Sequence, residues 1–189
     1  MVSFFSFTKT NIPGLIEIQP FCSEDARGYF IKDYSKEVFE QNGINHDLKE
    51  VFYSKSGKGV IRGLHFQREK QQAKLVRCLM GSIYDVVIDL RKESSYFSRW
   101  LSFHLSEENK HEILVPVGCA HGYLVLEDSI VSYKCSEKFH AELDDGIRWN
   151  DPDIGVPWPI EMAGHEIILS EKDKNLQTFS QFMEKYGGF

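Results

Sequence analysis

The sequence predicts a mainly β fold, an antiparallel jelly roll with a few short peripheral helices. Short apolar or alternating segments recur about every 8 to 12 residues in the middle of the chain, with turn residues between them. Helical signals are shorter and lie outside this region. The length of 189 residues, with 42% hydrophobic and 26% charged residues, suits one globular domain. No repeat or linker divides the chain, so we expect a single domain over residues 1–189.

The strand signals are clearest between residues 74 and 134. Two of them meet at Gly81-Ser82, and two more flank Glu127-Asp128, which predicts two tight hairpins. The predicted strands are Lys74–Met80, Ile83–Leu90, Trp100–Leu105, Glu112–Pro116, Gly122–Leu126 and Ser129–Lys134.

Helices are predicted at three places: Lys36–Asn42, a short piece at Ser106–Lys110, and the tail from Ser170 to Tyr186. Ser170 is followed by Asp173 three residues later, the spacing of a capping box with a shorter acid in the usual Glu position. We therefore expect a helix to begin at Ser170.

Composition excludes several classes of function. The net charge is -6, which argues against a surface that coats nucleic acid. No apolar run approaches the roughly 20 residues that span a bilayer, so no membrane contact is expected. The N-terminus lacks the pattern of a signal peptide, which predicts a cytoplasmic protein. The four scattered cysteines are then expected to be reduced and buried.

The segment Val60–Gln67 is the most informative for chemistry. If it is a strand, the two-residue period places Ile61, Gly63, His65 and Gln67 on one face. His65 and Gln67 would then point into a pocket, and Gly63 would leave room for a ligand. A bulge at Gly63 would bring Arg62 to the same opening. The alternative is a half-buried histidine bonded to a carbonyl, with the arginine at the surface.

Four other residues have a functional and a plain structural interpretation. Lys74 heads an apolar strand, so it is either a costly interior lysine or a strand-end lysine that reaches solvent. Tyr133 and His121 could face a pocket or be satisfied core groups. Asp173 could be only an acid in the first turn of a helix.

A metal site is not expected from these residues. The position two after His65 is Gln67, whereas a typical metal-binding strand of such a barrel carries a second histidine there. The chain also lacks the glycine-rich and nucleophile motifs of nicotinamide, ATP and serine-hydrolase sites.

Together these segments resemble one family, the nucleotide-sugar epimerases of the dTDP-4-dehydrorhamnose 3,5-epimerase type, which are metal-free cupin jelly rolls. The resemblance covers about residues 10 to 175. The matching segments are DARGYF (25–30), VIRGLHFQ (60–67), KLVRCLMGSIYDVVIDLRK (74–92), ENKHEILVPVGCAHGYLVL (108–126), SYKC (132–135), GIRWNDPDIGVPWP (146–159) and LSEKD (169–173).

The resemblance implies a cofactor-independent isomerase whose substrate is a nucleoside diphosphate 4-keto-6-deoxy sugar. His65 matches the family's catalytic base, and Asp173 matches its partner. Lys74 matches the residue that meets the enolate oxygen O4, and Tyr133 matches the acid that returns a proton from the opposite face. The substrate's own ketone accepts the electrons, so no cofactor is needed.

The resemblance also implies a binding set. Arg27 and Arg62 match cationic positions for the diphosphate. Lys172 and His121 match further substrate-binding positions, and Asp144 stands where the family usually has Glu. Gln67 joins this set from its predicted place in the pocket.

The chain departs from the family at the nucleobase end. Lys32 replaces a Glu that binds thymine, Glu50 and Phe52 stand where the pattern is usually Gln-x-Asn, and Phe139 replaces a stacking Tyr. A Glu-to-Lys change reverses both charge and donor character. The sequence therefore leaves open whether the nucleotide of the substrate is dTDP, CDP or GDP. It also leaves open whether C3, C5 or both carbons are inverted.

Two other classes of function compete with the epimerase, and one oligomeric state is expected. A metal-dependent cupin enzyme and a non-catalytic sugar-nucleotide binding module are the competing classes. The family resemblance implies a homodimer formed by exchange of N-terminal strands. The aromatic N-terminus, with Phe4, Phe5 and Phe7, offers apolar surface for such an interface.

Overall fold

The computed structural model describes residues 2–164 and 166–189 and is dominated by strands. The strands are β1 (Val2–Ser3), β2 (Ser6–Lys9), β3 (Ile16–Gln19), β4 (Phe21–Asp25), β5 (Gly28–Lys32), β6 (Glu50–Ser56), β7 (Ile61–Gln67), β8 (Lys74–Asp89), β9 (Trp100–Ser106), β10 (Glu112–Val115), β11 (Cys119–Cys135) and β12 (Asp144–Gly146). The helices are α1 (Lys36–Gln41), α2 (Glu171–Lys174) and α3 (Phe179–Tyr186), and short 3-10 turns span Ala141–Leu143 and Ile160–Ala163. The predicted mainly β class is confirmed.

The strands form two sheets, and every pairing between them is antiparallel. A nine-stranded sheet has the order β12-β7-β11-β8-β10-β3-β2, with β6 also paired to β11 and β9 to β8. A separate three-stranded sheet has the order β1-β4-β5. The long strands β8 and β11 each change partners along their length, since β8 pairs first with β10 and then with β9. They therefore join the two halves of the nine-stranded sheet.

The two hairpins predicted within residues 74–134 are wrong, because both turn signals lie inside continuous strands. Gly81 is part of β8, and Glu127-Asp128 is part of β11. The two signals face each other, and the register between the strands shifts from Val125 to Val131. Gly81 has φ +71°, and a Cβ there would lie 2.2 Å from the Asp128 carbonyl oxygen. The turn residues thus bend a paired ribbon and do not reverse the chain.

The helix predictions fare differently at the three places. Helix α1 is confirmed, one residue shorter than predicted. The piece at Ser106–Lys110 is a turn, in which the Asn109 side chain accepts from the Ser106 backbone amide. The tail divides into α2 and α3, because Thr178 starts a second helix with its own capping box. Ser170 caps α2 as predicted, its hydroxyl accepting from the Asp173 amide.

Three apolar clusters pack these strands and helices against one another. One fills the interior between β8 and β11 and reaches Tyr133. The second covers the other face of β7, where Phe66 packs against Phe182 of α3. The C-terminal Phe189 seals it, donating its amide to the Leu90 carbonyl at 2.8 Å. The third packs α1 against β3 and β10.

We predict that Gly81→Ala destabilises the protein more than Gly43→Ala. Both glycines have positive φ, +71° and +74°, so an alanine strains the backbone at either place by about 1–2 kcal/mol. Only at Gly81 does the added methyl meet backbone, since nothing lies within 4 Å of a Cβ at Gly43. We expect a further loss of about 1–3 kcal/mol at Gly81. Urea unfolding of both variants measures the difference, and equal losses would contradict the bent-ribbon description.

Candidate active site

A cavity of about 430 Å³ opens between β6, β7, β8 and β11. Aromatic, cationic, acidic and hydroxyl side chains line it together, which is the mixture that polar ligands require. The lining residues are Glu50, Phe52, Ser54, Arg62, His65, Gln72, Lys74, His121, Gly122, Tyr123, Tyr133, Phe139 and Asp144.

A bulge in β7 brings both Arg62 and His65 to the cavity. His65 lies opposite His121 and Arg62 lies opposite Tyr123. The two residues between them on β7, Gly63 and Leu64, therefore face a single residue on β11, Gly122. Gly63 occupies the bulge, where a Cβ would come within 2.6 Å of the Gly122 Cα. The bulge therefore requires glycine and resets which side chains face inward.

Two residues of β7 lie away from their predicted places, and the bulge accounts for Ile61. Ile61 packs with Leu64 and Phe66 in the apolar cluster below the sheet, and the predicted common face with His65 is wrong for it. Gln67 is buried but does not line the cavity. Its amide nitrogen donates to the Lys70 and Lys138 carbonyls, and its oxygen accepts from the His140 amide.

His65 and Asp173 form a close pair at one side of the cavity. His65 Nε2 lies 2.5 Å from Asp173 Oδ1, and the Asp173 side chain is only 4% exposed. Burial by itself would raise the pKa of Asp173, but the hydrogen bonds to His65 and Ser170 outweigh it and lower that pKa. Ser170 thus caps the helix and helps to hold the carboxylate in place.

Lys74 places an ammonium in the cavity without a bonded partner. It is half-buried, and its Nζ makes no hydrogen bond or ion pair within the described parts of the chain. Desolvation lowers its pKa, while the carboxylates of Asp144 and Asp85 oppose that shift. An incoming oxygen anion would therefore gain a strong, preformed partner.

Tyr133 is buried and surrounded by groups that keep it neutral. Its ring stacks on Phe52, with centroids 4.8 Å apart and 20° between planes. Burial raises its pKa well above the usual phenol value, and the neighbouring Tyr123 hydroxyl adds to the shift. Such a phenol retains its proton until a strong base meets it.

A second histidine–carboxylate pair lies beside the first. His121 Nε2 is 2.8 Å from Asp85 Oδ2, and the two side chains are 4% and 0% exposed. Asp85 was not singled out from the sequence. The available signal was an acid on the same strand face as Ile83 and Val87, which belong to the interior cluster.

The remaining predicted residues divide between the cavity and places outside it. Glu50 and Phe139 both line the cavity, and the Glu50 carboxylate accepts from the Phe139 amide at 2.8 Å. Lys172 lies on α2 and forms an ion pair with Asp144 of the cavity wall. Arg27 is exposed at the β4–β5 turn, paired with Asp25. Lys32 ends β5, above the Phe21 ring.

Among the residues that the structure describes, no group of three or more His, Cys, Asp or Glu side chains is placed to hold a metal ion. Within the same residues, no helix is long and apolar enough to cross a membrane.

The arrangement combines the elements of proton transfer at carbon. A histidine oriented by a carboxylate can accept a proton, a buried phenol can supply one, and an unpartnered ammonium can stabilise an oxyanion between the two events. Arg62 adds a guanidinium that suits phosphate oxygens.

Comparison with known proteins gives one consistent result. The sequence model of the family described as dTDP-4-dehydrorhamnose 3,5-epimerase matches residues 9–181. A dTDP-4-dehydrorhamnose 3,5-epimerase from Methanothermobacter thermautotrophicus is 49% identical over 172 residues, which are 90% of this chain and 92% of that relative.

Solved structures agree with the sequence matches. A dTDP-6-deoxy-D-glucose-3,5-epimerase from Legionella pneumophila, in complex with dTDP-4-keto-L-rhamnose, has a TM-score of 0.91 and 34% identity, covering 96% of each chain. A 3'-monoepimerase from Streptomyces bikiniensis, in complex with dTDP-quinovose, has a TM-score of 0.87 and 28% identity, covering 95% of this chain and 90% of that one. The cupin-type fold class is thereby confirmed, and the chain belongs to the dTDP-4-dehydrorhamnose 3,5-epimerase family.

Proposed function

We propose that this protein inverts C3 and C5 of a dTDP-linked 4-keto-6-deoxy-hexose, in the biosynthesis of rhamnose or a related deoxysugar. The observation that carries the proposal is the convergence of the His65–Asp173 pair, Lys74 and Tyr133 on one cavity. These are the base, the oxyanion partner and the acid that enolate chemistry needs.

The first step is removal of a proton beside the ketone. The 4-keto group acidifies the hydrogens on C3 and C5, and His65 takes one of them. Asp173 accepts a hydrogen bond from Nε2, which leaves Nδ1 as the basic nitrogen and stabilises the imidazolium that forms. The negative charge of the enolate gathers on O4.

Lys74 and Tyr133 complete the inversion of the carbon. Lys74 donates to O4, a contribution on the order of 10²–10³ in rate for one such donor. Tyr133 then returns a proton to the opposite face of the carbon, which inverts it. The ketone itself serves as the electron sink, so the reaction is proposed to need neither a metal nor an organic cofactor.

The carrier and the regiochemistry follow from the relatives and the cavity. The chain is 49% identical to a 3,5-epimerase and 28% identical to a 3'-monoepimerase, which favours inversion of both carbons. One Glu50 oxygen is committed to the Phe139 amide, and Phe52 stacks on Tyr133, so neither of these two cavity residues points to a CDP- or GDP-linked sugar.

The substrate contacts are proposed around this core. Arg62 binds the diphosphate at the cavity mouth, and His121 and Asp144 contact the sugar. Lys172 acts at the rim through Asp144, and Gln67 shapes the wall by holding the His140 and Lys138 backbone. Phe139, half exposed beside the cavity, provides the flat surface for the nucleobase.

We also propose that residues 1–189 act as one domain in the cytoplasm. The family match spans most of the chain, and all four cysteines are free and buried, as a reducing compartment allows. The net charge of -6 argues against a nucleic-acid partner.

The N-terminal sheet supports a homodimer. It exposes Phe30 by 61% and Tyr29 by 45%, and Phe4, which follows β1 and packs on Phe21, is 77% exposed, an apolar surface that a lone chain rarely keeps. Arg27 and Lys32 lie on the same sheet and outside the chain's own cavity. We propose that this sheet covers a second copy and brings both cations to its cavity.

We predict a mass near twice 21.9 kDa in sedimentation equilibrium. Phe30→Asp should shift the protein toward monomer and weaken dTDP binding, because a charge then lies in the interface. Met162→Asp is the matched control, since Met162 is 60% exposed outside this sheet. A wild-type monomer would contradict the dimer.

We predict that the protein exchanges substrate hydrogens with solvent. Incubation of a dTDP-4-keto-6-deoxy-glucose in D₂O should place deuterium at C3 and C5, with or without a metal chelator. His65→Asn should lose exchange by about 10²–10⁴-fold and still bind dTDP, because only the base is removed. His104→Asn, an exposed histidine on β9, is the control. If exchange occurs with a CDP- or GDP-linked 4-keto sugar but not with this one, the substrate carries a different nucleotide than proposed. If none of these sugars exchanges, the proposed activity is refuted.

We predict that Asp173→Asn changes both rate and acid stability. The variant should lose about 10²-fold or more in exchange rate, because the amide cannot stabilise the imidazolium. The lowered pKa of Asp173 means that its carboxylate stabilises the fold above the ordinary value of about 3.9, and that this contribution is lost as pH falls through the folded-state pKa. Unfolding free energy should therefore depend less steeply on pH below about 4 in the variant. Glu171→Gln, exposed on the same helix, should leave both properties unchanged.

A further inference from the structure

The short strand β12 connects His65 with the segment that supplies its carboxylate partner. Gly146 lies opposite His65 in the pairing of β12 with β7. The Gly146 carbonyl also accepts from the Gln177 side chain at 3.2 Å, and the Arg148 amide donates to the Gln177 carbonyl at 2.9 Å. Gln177 follows α2, the helix that carries Asp173. The histidine and its acid are therefore both held by the chain at β12.

A second anchor fixes the other end of the segment that carries Asp173. The Ile61 amide donates to the Ile168 carbonyl, and the Ile168 amide donates to the Gly59 carbonyl, both at 3.0 Å. Asp173 thus lies between two backbone anchors, Ile168 and Gln177. A short segment that is fastened at both ends leaves its carboxylate few alternative positions.

The anchor at Gln177 is continued by α3, and Asp145 fixes the far end of that helix. Thr178, the residue after Gln177, caps α3. The Tyr186 hydroxyl, at the last residue of α3, donates to Asp145 Oδ2 at 2.9 Å, and the Gly146 amide donates to Asp145 Oδ1 at 2.8 Å. Burial alone would raise the pKa of Asp145, but these hydrogen bonds outweigh it and lower that pKa. The Asp145 carboxylate therefore accepts both bonds in its charged form at neutral pH.

Asp145 and Tyr186 lie outside the cavity lining. Tyr186 packs in the apolar cluster that covers the other face of β7, with its ring centroid 5.4 Å from that of Phe182. It also lies beyond residues 9–181, which the family model matches. A phenyl ring alone would fill this place, so packing does not explain the hydroxyl or the carboxylate that accepts from it.

We propose that Asp145 and Tyr186 are positioning residues for the His65–Asp173 pair. Their hydrogen bond fixes α3 to β12, and through Gln177 it holds Asp173 at bonding distance from His65. The inference rests on the proposed role of His65 as the base. The two atoms of the pair are 2.5 Å apart, and a hydrogen bond weakens as its atoms separate or lose alignment. A loosened α3 therefore leaves the base less well oriented, although no group that meets the substrate has changed.

Tyr186→Phe tests the proposal, because it removes the donor and keeps the ring. We expect kcat for epimerisation to fall by about 3–10-fold with KM within about twofold of wild type, since the lost bond orients the base and binds no substrate. Tyr84→Phe is the matched control. Tyr84 packs in the same apolar cluster, and within the described parts of the chain its hydroxyl has no hydrogen-bond partner.

Two substitutions of Asp145 test the same bond from the acceptor side. Asp145→Ala should lower kcat at least as much as Tyr186→Phe. Asp145→Asn should recover most of that loss, because its amide oxygen still accepts from the phenol. Equal losses in Asp145→Asn and Asp145→Ala would contradict a role for this hydrogen bond, and the pair of variants decides the question should Tyr186→Phe fold poorly.

The pKa of Asp173 gives a readout that needs no turnover. The hydrogen bond to His65 lowers this pKa, so a loosened pair should let it rise toward the ordinary value of about 3.9 in Tyr186→Phe. A ¹³C NMR titration of the carboxyl carbon, whose signal is identified by its loss in Asp173→Asn, measures the change. Tyr84→Phe should leave the pKa of Asp173 in place.

A purely structural role would give a different result. If Tyr186→Phe unfolds at a lower temperature but keeps both kcat and the pKa of Asp173, the proposal is wrong. It is also wrong if kcat falls while that pKa is unchanged. A wild-type protein that catalyses no exchange would instead refute the proposed function, and the NMR titration would still show whether Asp145 and Tyr186 position Asp173.

Discussion

The pairing of β8 with β11 is the constraint on which the rest of the structure depends. Lys74 lies opposite Cys135, and Tyr133 lies opposite Val76, so the register of this ribbon decides which polar groups meet. The ribbon bends where Gly81 meets Asp128, and beyond the bend each strand takes a new partner. A one-residue slip would turn Lys74 and Tyr133 toward the opposite face. The site therefore inherits its geometry from the backbone hydrogen bonds between β8 and β11.

The sequence predicted the strands better than their connections. A family pattern surrounds His65, Lys74 and Tyr133, and the structure brings these three side chains to one cavity. The cap at Ser170 is predictable because capping is a local interaction. The two hairpins failed because Gly81 and Asp128 are turn residues by local preference, whereas their pairing with each other is long-range.

What escaped prediction is the layer that supports the catalytic residues. Asp85 and Tyr123 sit inside apolar strands, where each needs a hydrogen-bond partner that its own strand does not supply. The partner lies across the sheet: His121 for Asp85, and Ser54 for Tyr123. The bulge at Gly63 is different, because a glycine inside a strand pattern already indicates one. Only the close approach of Gly122, which requires that glycine, belongs to the folded sheet.

Burial helps one of the two groups proposed to act on the substrate and hinders the other. It raises the pKa of Tyr133, which keeps the proton available, but it lowers the pKa of Lys74, which weakens the cation. The carboxylates of Asp144 and Asp85 oppose the second effect, since they lie near enough to raise the pKa of Lys74 without bonding to it, but desolvation outweighs them. Asp144 is engaged by Lys172 and Asp85 by His121, so neither occupies the ammonium. The cation is thus maintained by charges that leave its hydrogen bonds free for the substrate oxygen.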